Sequence, residues 1–105
     1  MENHTKAMEL GNSIKKIRKK RGFSQKQLAA KMGISTNALC SIETNQTWPS
    51  KATIEKVCDA LEVEECYLLL FSMTEASFPD DKKILYRVLC KPLQEELLRD
   101  LQTLE

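Results

Sequence analysis

The sequence predicts an all-α protein: a five-helix domain followed by a C-terminal helical extension. Three observations carry that expectation. Leu, Lys, Glu and Ala dominate the 105 residues, while Gly and Pro number three each, a balance that favours helices over sheets. Apolar residues recur at spacings of three and four through most of the chain. Gly22, Ser24, Gly33, Ser35 and Ser50 stand where such segments should stop or start, as left-handed C-caps and N-caps do.

Residues 1–9 are polar and unpatterned and read as an arm. Leu10, Ile14 and Ile17 then share one face of a first helix, which Gly22 ends after basic Lys20 and Arg21. Ser24 and Gln27 fit a capping box at the head of a second helix, with Leu28, Ala29 and Met32 inward. Gly33 closes that helix, Ile34 fills the corner, and Ser35 caps a third helix over Thr36 to Glu43. Leu39 and Ile42 point inward there, so Thr36, Asn37, Cys40, Ser41 and Thr44 occupy the outward face. Asn45 to Ser50 form a loop, in which Asn45 tolerates a left-handed backbone. Trp48 reads as a lid over the core. A fourth helix runs from Lys51 to Leu61 and a fifth from Glu64 to Phe71. These elements make a domain over residues 10–73.

Residues 74–105 predict a helical hairpin. Pro79, Asp80 and Asp81 suit a helix start, and Ile84, Leu85, Val88 and Leu89 form its stripe. Pro92 interrupts or kinks the chain, because it removes a backbone donor. Leu93, Leu97, Leu101 and Leu104 then span about 80° of a last helix, with Leu98 widening the band. Each fully buried leucine contributes roughly 1.5–3 kcal/mol, so this band must pack on something. Pairing with a second copy is the expectation, with Leu85, Leu89, Leu93, Leu97, Leu101 and Leu104 at the interface. Folding back on the same chain is the alternative.

Net charge is only +1, but it is unevenly divided. Residues 1–53 hold ten Lys and Arg against three Glu; residues 54–105 hold six against twelve Asp and Glu. A basic half joined to an acidic half points to one polyanion-binding surface and a second part with another job. No uncharged run approaches the ~20 residues of a membrane span, and the N-terminus has no signal-like apolar core; the expected location is the cytoplasm. The four cysteines show no CxxC spacing and the one histidine is His4, which argues against zinc. The thiols read as small apolar residues. No nucleophile–base pair or phosphate loop stands out, so neither catalysis nor a cofactor is expected.

The strongest signal is helix, short glycine turn, helix within Ser24 to Glu43. Such a corner presents its second helix to the major groove of DNA. Residues 14–70 resemble the lambda-repressor/Cro-type (Xre) family of bacterial helix-turn-helix regulators. The resemblance rests on Ile17-Arg18, Gly22-Phe23-Ser24-Gln25, Leu28-Ala29, Gly33-Ile34-Ser35, Ile42-Glu43, Pro49-Ser50, Ala60-Leu61-Glu62-Val63 and Leu68-Leu69. It implies a homodimeric repressor on palindromic double-stranded DNA. It further implies that Thr36, Asn37, Cys40 and Ser41 stand at base-reading positions. Gln25, Lys26, Ser35, Asn45, Gln46, Thr47 and Arg18 match positions along the phosphate backbone, and Arg18 with Glu43 matches a structural ion pair. Two departures stand out: Asn45 where the family often has glycine, and Cys40, a poor hydrogen-bonder, among the readers. Asn37 is then the best candidate for bidentate contact to adenine. A rival reading is an antitoxin or interaction module whose C-terminal leucines bind a different protein.

Overall fold

The computed structural model describes residues 10–104. Among them are six helices and no β-strand: α1 (Leu10–Lys20), α2 (Gln25–Met32), α3 (Thr36–Glu43), α4 (Lys51–Leu61), α5 (Glu65–Ser72) and α6, over residues 83–100. The arm expected over residues 1–9 lies outside the described residues. Helix α1 runs through the middle of the domain and packs on α3, α4 and α5, while α2 packs on α3 and α4. Leu10, Ile14, Ile17, Leu28, Leu39, Val57, Leu61 and Leu68 are almost wholly buried where these helices meet.

Helix boundaries follow the capping chemistry. Ser24 Oγ accepts from the Gln27 N–H and the Gln27 side chain returns to the Ser24 N–H, which completes the box. Ser35 and Ser50 cap α3 and α4 through the N–H groups of Ala38 and Thr53. Gly33 adopts φ 74° between α2 and α3, and Asn45 takes φ 64° after α3. Helix α4 ends on Glu62 at φ 56°, a left-handed residue that is not glycine. The Arg21 guanidinium supports that end: its Nε donates to Leu61 O at 2.9 Å and one Nη to Glu62 O at 2.8 Å. Those carbonyls have no partner inside α4.

The C-terminal segment departs from the expected hairpin. Residues 83–100 form one helix, built of Lys83–Leu85, a π-helical segment Tyr86–Cys90 and Lys91–Asp100. Pro92 does not break it. Proline cannot donate to the carbonyl four residues back, and its ring collides with that group. Widening the preceding turn relieves the clash, and the Lys91 N–H accordingly reaches Tyr86 O, five residues back. Pro79 precedes a separate 3₁₀ turn, Asp80–Lys82, instead of opening the helix itself, and a second such turn, Glu75–Ser77, lies between α5 and Pro79. Arg87 donates to Glu75 at 2.9 Å and holds that carboxyl below the usual range.

Helix α6 is fastened to α5 by Gln94. This buried side chain donates to Leu70 O at 2.6 Å and Met73 O at 3.0 Å, both at the C-terminal end of α5. Leu97, Leu98 and Leu101 pack against the domain core. Beyond the helix, the Leu104 N–H donates to Arg21 O and Arg21 donates to Gln102 O. The single leucine band expected at a dimer interface is therefore two surfaces. Leu97 and Leu101 fold back on their own domain and the Leu104 backbone is tied to Arg21, just past α1. Leu85, Leu89 and Leu93 remain exposed, together with Ile84 and Val88.

Candidate nucleic-acid interface

Helices α2 and α3 meet at the left-handed Gly33, with the Ile34 N–H donating back to Ala29 O. The pair is held from beneath by a buried polar network. Arg18 on α1 engages Glu43 at the end of α3 through two bonds, Nε to Oε2 at 2.7 Å and Nη2 to Oε1 at 3.1 Å. Its remaining Nη donates to Phe23 O in the α1–α2 turn. Gln25, at the start of α2, donates to Glu43 Oε1 at 3.0 Å. Both charged groups are nearly inaccessible to solvent. A buried ion pair of this kind is kept in place by its additional hydrogen bonds. It sets the orientation of α3 relative to α1 and to the first turn of α2. Arg18 thus serves the structure, with little surface left for a phosphate.

Gly11 supplies a second fastening. Its N–H donates to Asn45 Oδ1 at 3.0 Å, and a Cβ added there would stand 2.2 Å from Ile42 O. Only a residue without a side chain lets α1 come this near the end of α3. Neither this role of Gly11 nor those of Gln94 and Arg21 was foreseen from the sequence, whose local patterns carry no signal for them.

The outward face of α3 presents Thr36, Asn37 and Cys40 exposed and Ser41 half-buried. The side chains of Thr36 and Asn37 have no hydrogen-bond partner among the described residues, so their donors and acceptors face solvent. Gln25 spends one amide hydrogen on Glu43 and keeps a second. Ser35 accepts a capping bond through Oγ and keeps its hydroxyl hydrogen. Lys26, Gln46 and Thr47 are exposed, and the N–H groups of Gln46 and Thr47 both donate to Ser41 O, at 2.9 and 3.2 Å. The loop after α3 is thereby drawn back beside the helix. Trp48 does not form the expected lid: it is 52% exposed, while its neighbour Pro49 is buried.

Between Glu9 and Glu55 the chain has one carboxylate, Glu43, and it is buried against Arg18. The exposed surface contributed by residues 10–54 therefore carries lysines and no acid. Lys15, Lys16 and Lys19 line the outer side of α1, and Lys31 stacks over the Phe23 ring at 5.4 Å. Acids from later in the chain border part of this surface: Asp59 and Glu62 line a depression with Lys31 and Lys56. Asp59, Glu62 and Glu64 line a cleft of about 440 Å³ with Arg21, Cys58 and Tyr67. Burial, then the nearby Glu65, pushes the Cys58 thiol up to about 11.

A helix pair held by a buried polar network, with an exposed polar face on its second helix, is the build of a DNA-binding regulator. The helix-turn-helix family matches residues 14–68, and the chain belongs to that family of non-enzymatic transcription regulators. It is 32% identical to the HTH-type transcriptional regulator ImmR of Bacillus subtilis, over 92% of this chain and 73% of that protein. The immunity repressor protein of Bacillus phage phi105 is 34% identical, over 90% of this chain and 66% of the phage protein. The HTH-type regulator SinR of Bacillus subtilis is 44% identical over a shorter stretch, 57% of this chain and 55% of SinR.

Proposed function

We propose that this chain is a cytoplasmic transcriptional repressor that binds a palindromic operator as a homodimer. The carrying observation is the exposed polar face of α3, on which the Thr36 and Asn37 side chains have no hydrogen-bond partner among the described residues. Thr36, Asn37, Ser41 and Cys40 read base edges in the major groove, Asn37 most specifically. Gln25, Lys26, Ser35, Asn45, Gln46 and Thr47 hold the phosphate backbone on either side. The mechanism is occupancy: bound protein excludes other proteins from the site, and no chemical step occurs.

The exposed stripe of Ile84, Leu85, Val88, Leu89 and Leu93 supports pairing with a second copy. Apolar side chains on adjacent helical turns gain most by facing their own kind, and a two-fold axis makes such a stripe self-complementary. Two recognition helices would then meet successive major grooves, ~34 Å apart.

The test combines sedimentation with selection from a random duplex pool at two salt concentrations. The expected result is a dimer that enriches palindromes and binds more weakly as salt rises. A monomer indifferent to DNA at low salt, or a heteromer with another protein at the stripe, overturns the homodimeric repressor. On the selected site, Asn37→Ala should weaken binding by roughly 1–3 kcal/mol and leave non-specific binding unchanged. Equal loss on every duplex would remove Asn37 from base reading.

A further inference from the structure

A lone exposed apolar residue is ordinary on a protein surface; what matters for Trp48 is where its backbone is fixed. Thr47, the residue before it, donates to Ser41 O, the carbonyl of a proposed reading residue, and Gln46 donates to the same oxygen. Thr44 Oγ1 bonds back to Cys40 O at 2.9 Å. Asn45, left-handed at φ 64°, accepts from Gly11. Pro49, on the other side, is buried, and Ser50 caps α4. The exposed indole thus stands on a loop hydrogen-bonded to α3 on one side and followed by buried Pro49 and the α4 cap on the other. Ordering it on a ligand costs little, because the backbone is already set.

Its surroundings identify that ligand. From Thr44 to Ile54 the chain carries polar side chains and Lys51 but no acid. An indole offers a broad apolar face and one N–H donor, with no acceptor. A phosphodiester strand offers the complement, apolar deoxyribose faces alternating with acceptor oxygens.

We propose that Trp48 is a DNA-backbone contact: its ring packs on deoxyribose and its Nε1–H donates to a phosphate flanking the bases read by α3. This rests on the DNA-binding reading above. It adds a residue that fixes the register of α3 in the groove without itself reading sequence. A hydrogen bond to a charged oxygen together with apolar contact should be worth about tenfold in affinity.

Trp48 is the chain's one tryptophan, so the full-length protein reports on itself. Labelled duplex DNA of random sequence would be titrated at low salt, with anisotropy reporting binding and Trp48 emission followed in the same cuvette. The expected result is an emission change that saturates with the anisotropy, with Trp48 shielded from acrylamide in the saturated complex. Trp48→Ala should weaken binding about tenfold, by a similar factor on random and selected duplexes, with the thermal melt unchanged. Trp48 equally quenched by acrylamide with and without saturating DNA overturns the contact, whatever the variant does. A loss confined to the selected site overturns the backbone assignment in favour of base reading. Absence of any anisotropy change sinks the DNA-binding reading itself, which a bound but unshielded Trp48 would leave standing.

Discussion

Helices α3 and α6 solve opposite problems with the same kind of fastening. Each is held to the domain by buried hydrogen bonds from a side chain far away in sequence: Arg18 and Gln25 to Glu43 for α3, Gln94 to the end of α5 for α6. Each leaves one face in water. On α3 that face is short and polar, with the Thr36 and Asn37 side chains exposed; on α6 it is apolar, from Ile84 to Leu93. The difference shows that inward packing does not reveal what an outward face is for. Chemistry on the outward side distinguishes a polyanion partner from an apolar one.

The largest expected effect breaks the α3 fastening. Glu43→Ala leaves the Arg18 guanidinium buried beside Phe23 O without its counter-charge, and should cost about 3–5 kcal/mol in a urea titration. A loss under 1 kcal/mol would show that the pair is dispensable and that apolar packing alone positions α3. Next in size is the α6 fastening. Gln94→Ala strips Leu70 O and Met73 O of a buried donor and should cost about 1–3 kcal/mol. Hydrogen exchange should speed up across Lys91–Asp100 but not across α1; uniform acceleration would mean that α6 is integral to the core. The smallest effect on stability should come from the free stripe. Val88→Asp with Leu89→Asp touches exposed positions, so the melt should move by no more than about 0.5 kcal/mol per site. The same double variant should convert a dimer to a monomer in sedimentation, and an unchanged dimer would place the interface elsewhere.

Much of the DNA-binding half was legible in the sequence because its signals are local. The Ser24–Gln27 box, the caps at Ser35 and Ser50 and the left-handed Gly33 each depend on residues within one turn. Roles for Gln25, Ser41 and the Asn45–Thr47 loop came only with the family resemblance. The illegible features are long-range. Gln94 reaches back 24 positions and Arg21 reaches forward 81 to Gln102, and no periodicity announces such a bond. Gly11 carries no local signal, because what demands it is the approach of Ile42 O from another helix. Pro92 misled in the opposite sense: the rule that proline ends a helix gave way to a widened turn. The leucine band misled because one helical wheel cannot show that Leu97 and Leu101 fall against a neighbour while Leu89 does not.

The Gln94 bonds carry a geometric consequence for a protein paired through α6. If α6 pairs with a second copy as proposed, they would join it to the DNA-binding domain by a stiff elbow instead of a tether, and the span between the two α3 helices would become a built-in ruler. A stiff elbow measures one distance along the double helix. Operators whose half-sites are moved apart by a few base pairs should lose cooperative binding abruptly, because each added base pair also rotates one half-site around the helix axis. Loosening the elbow at Gln94 should blunt that selectivity, trading affinity for the ideal spacing against tolerance of the wrong ones.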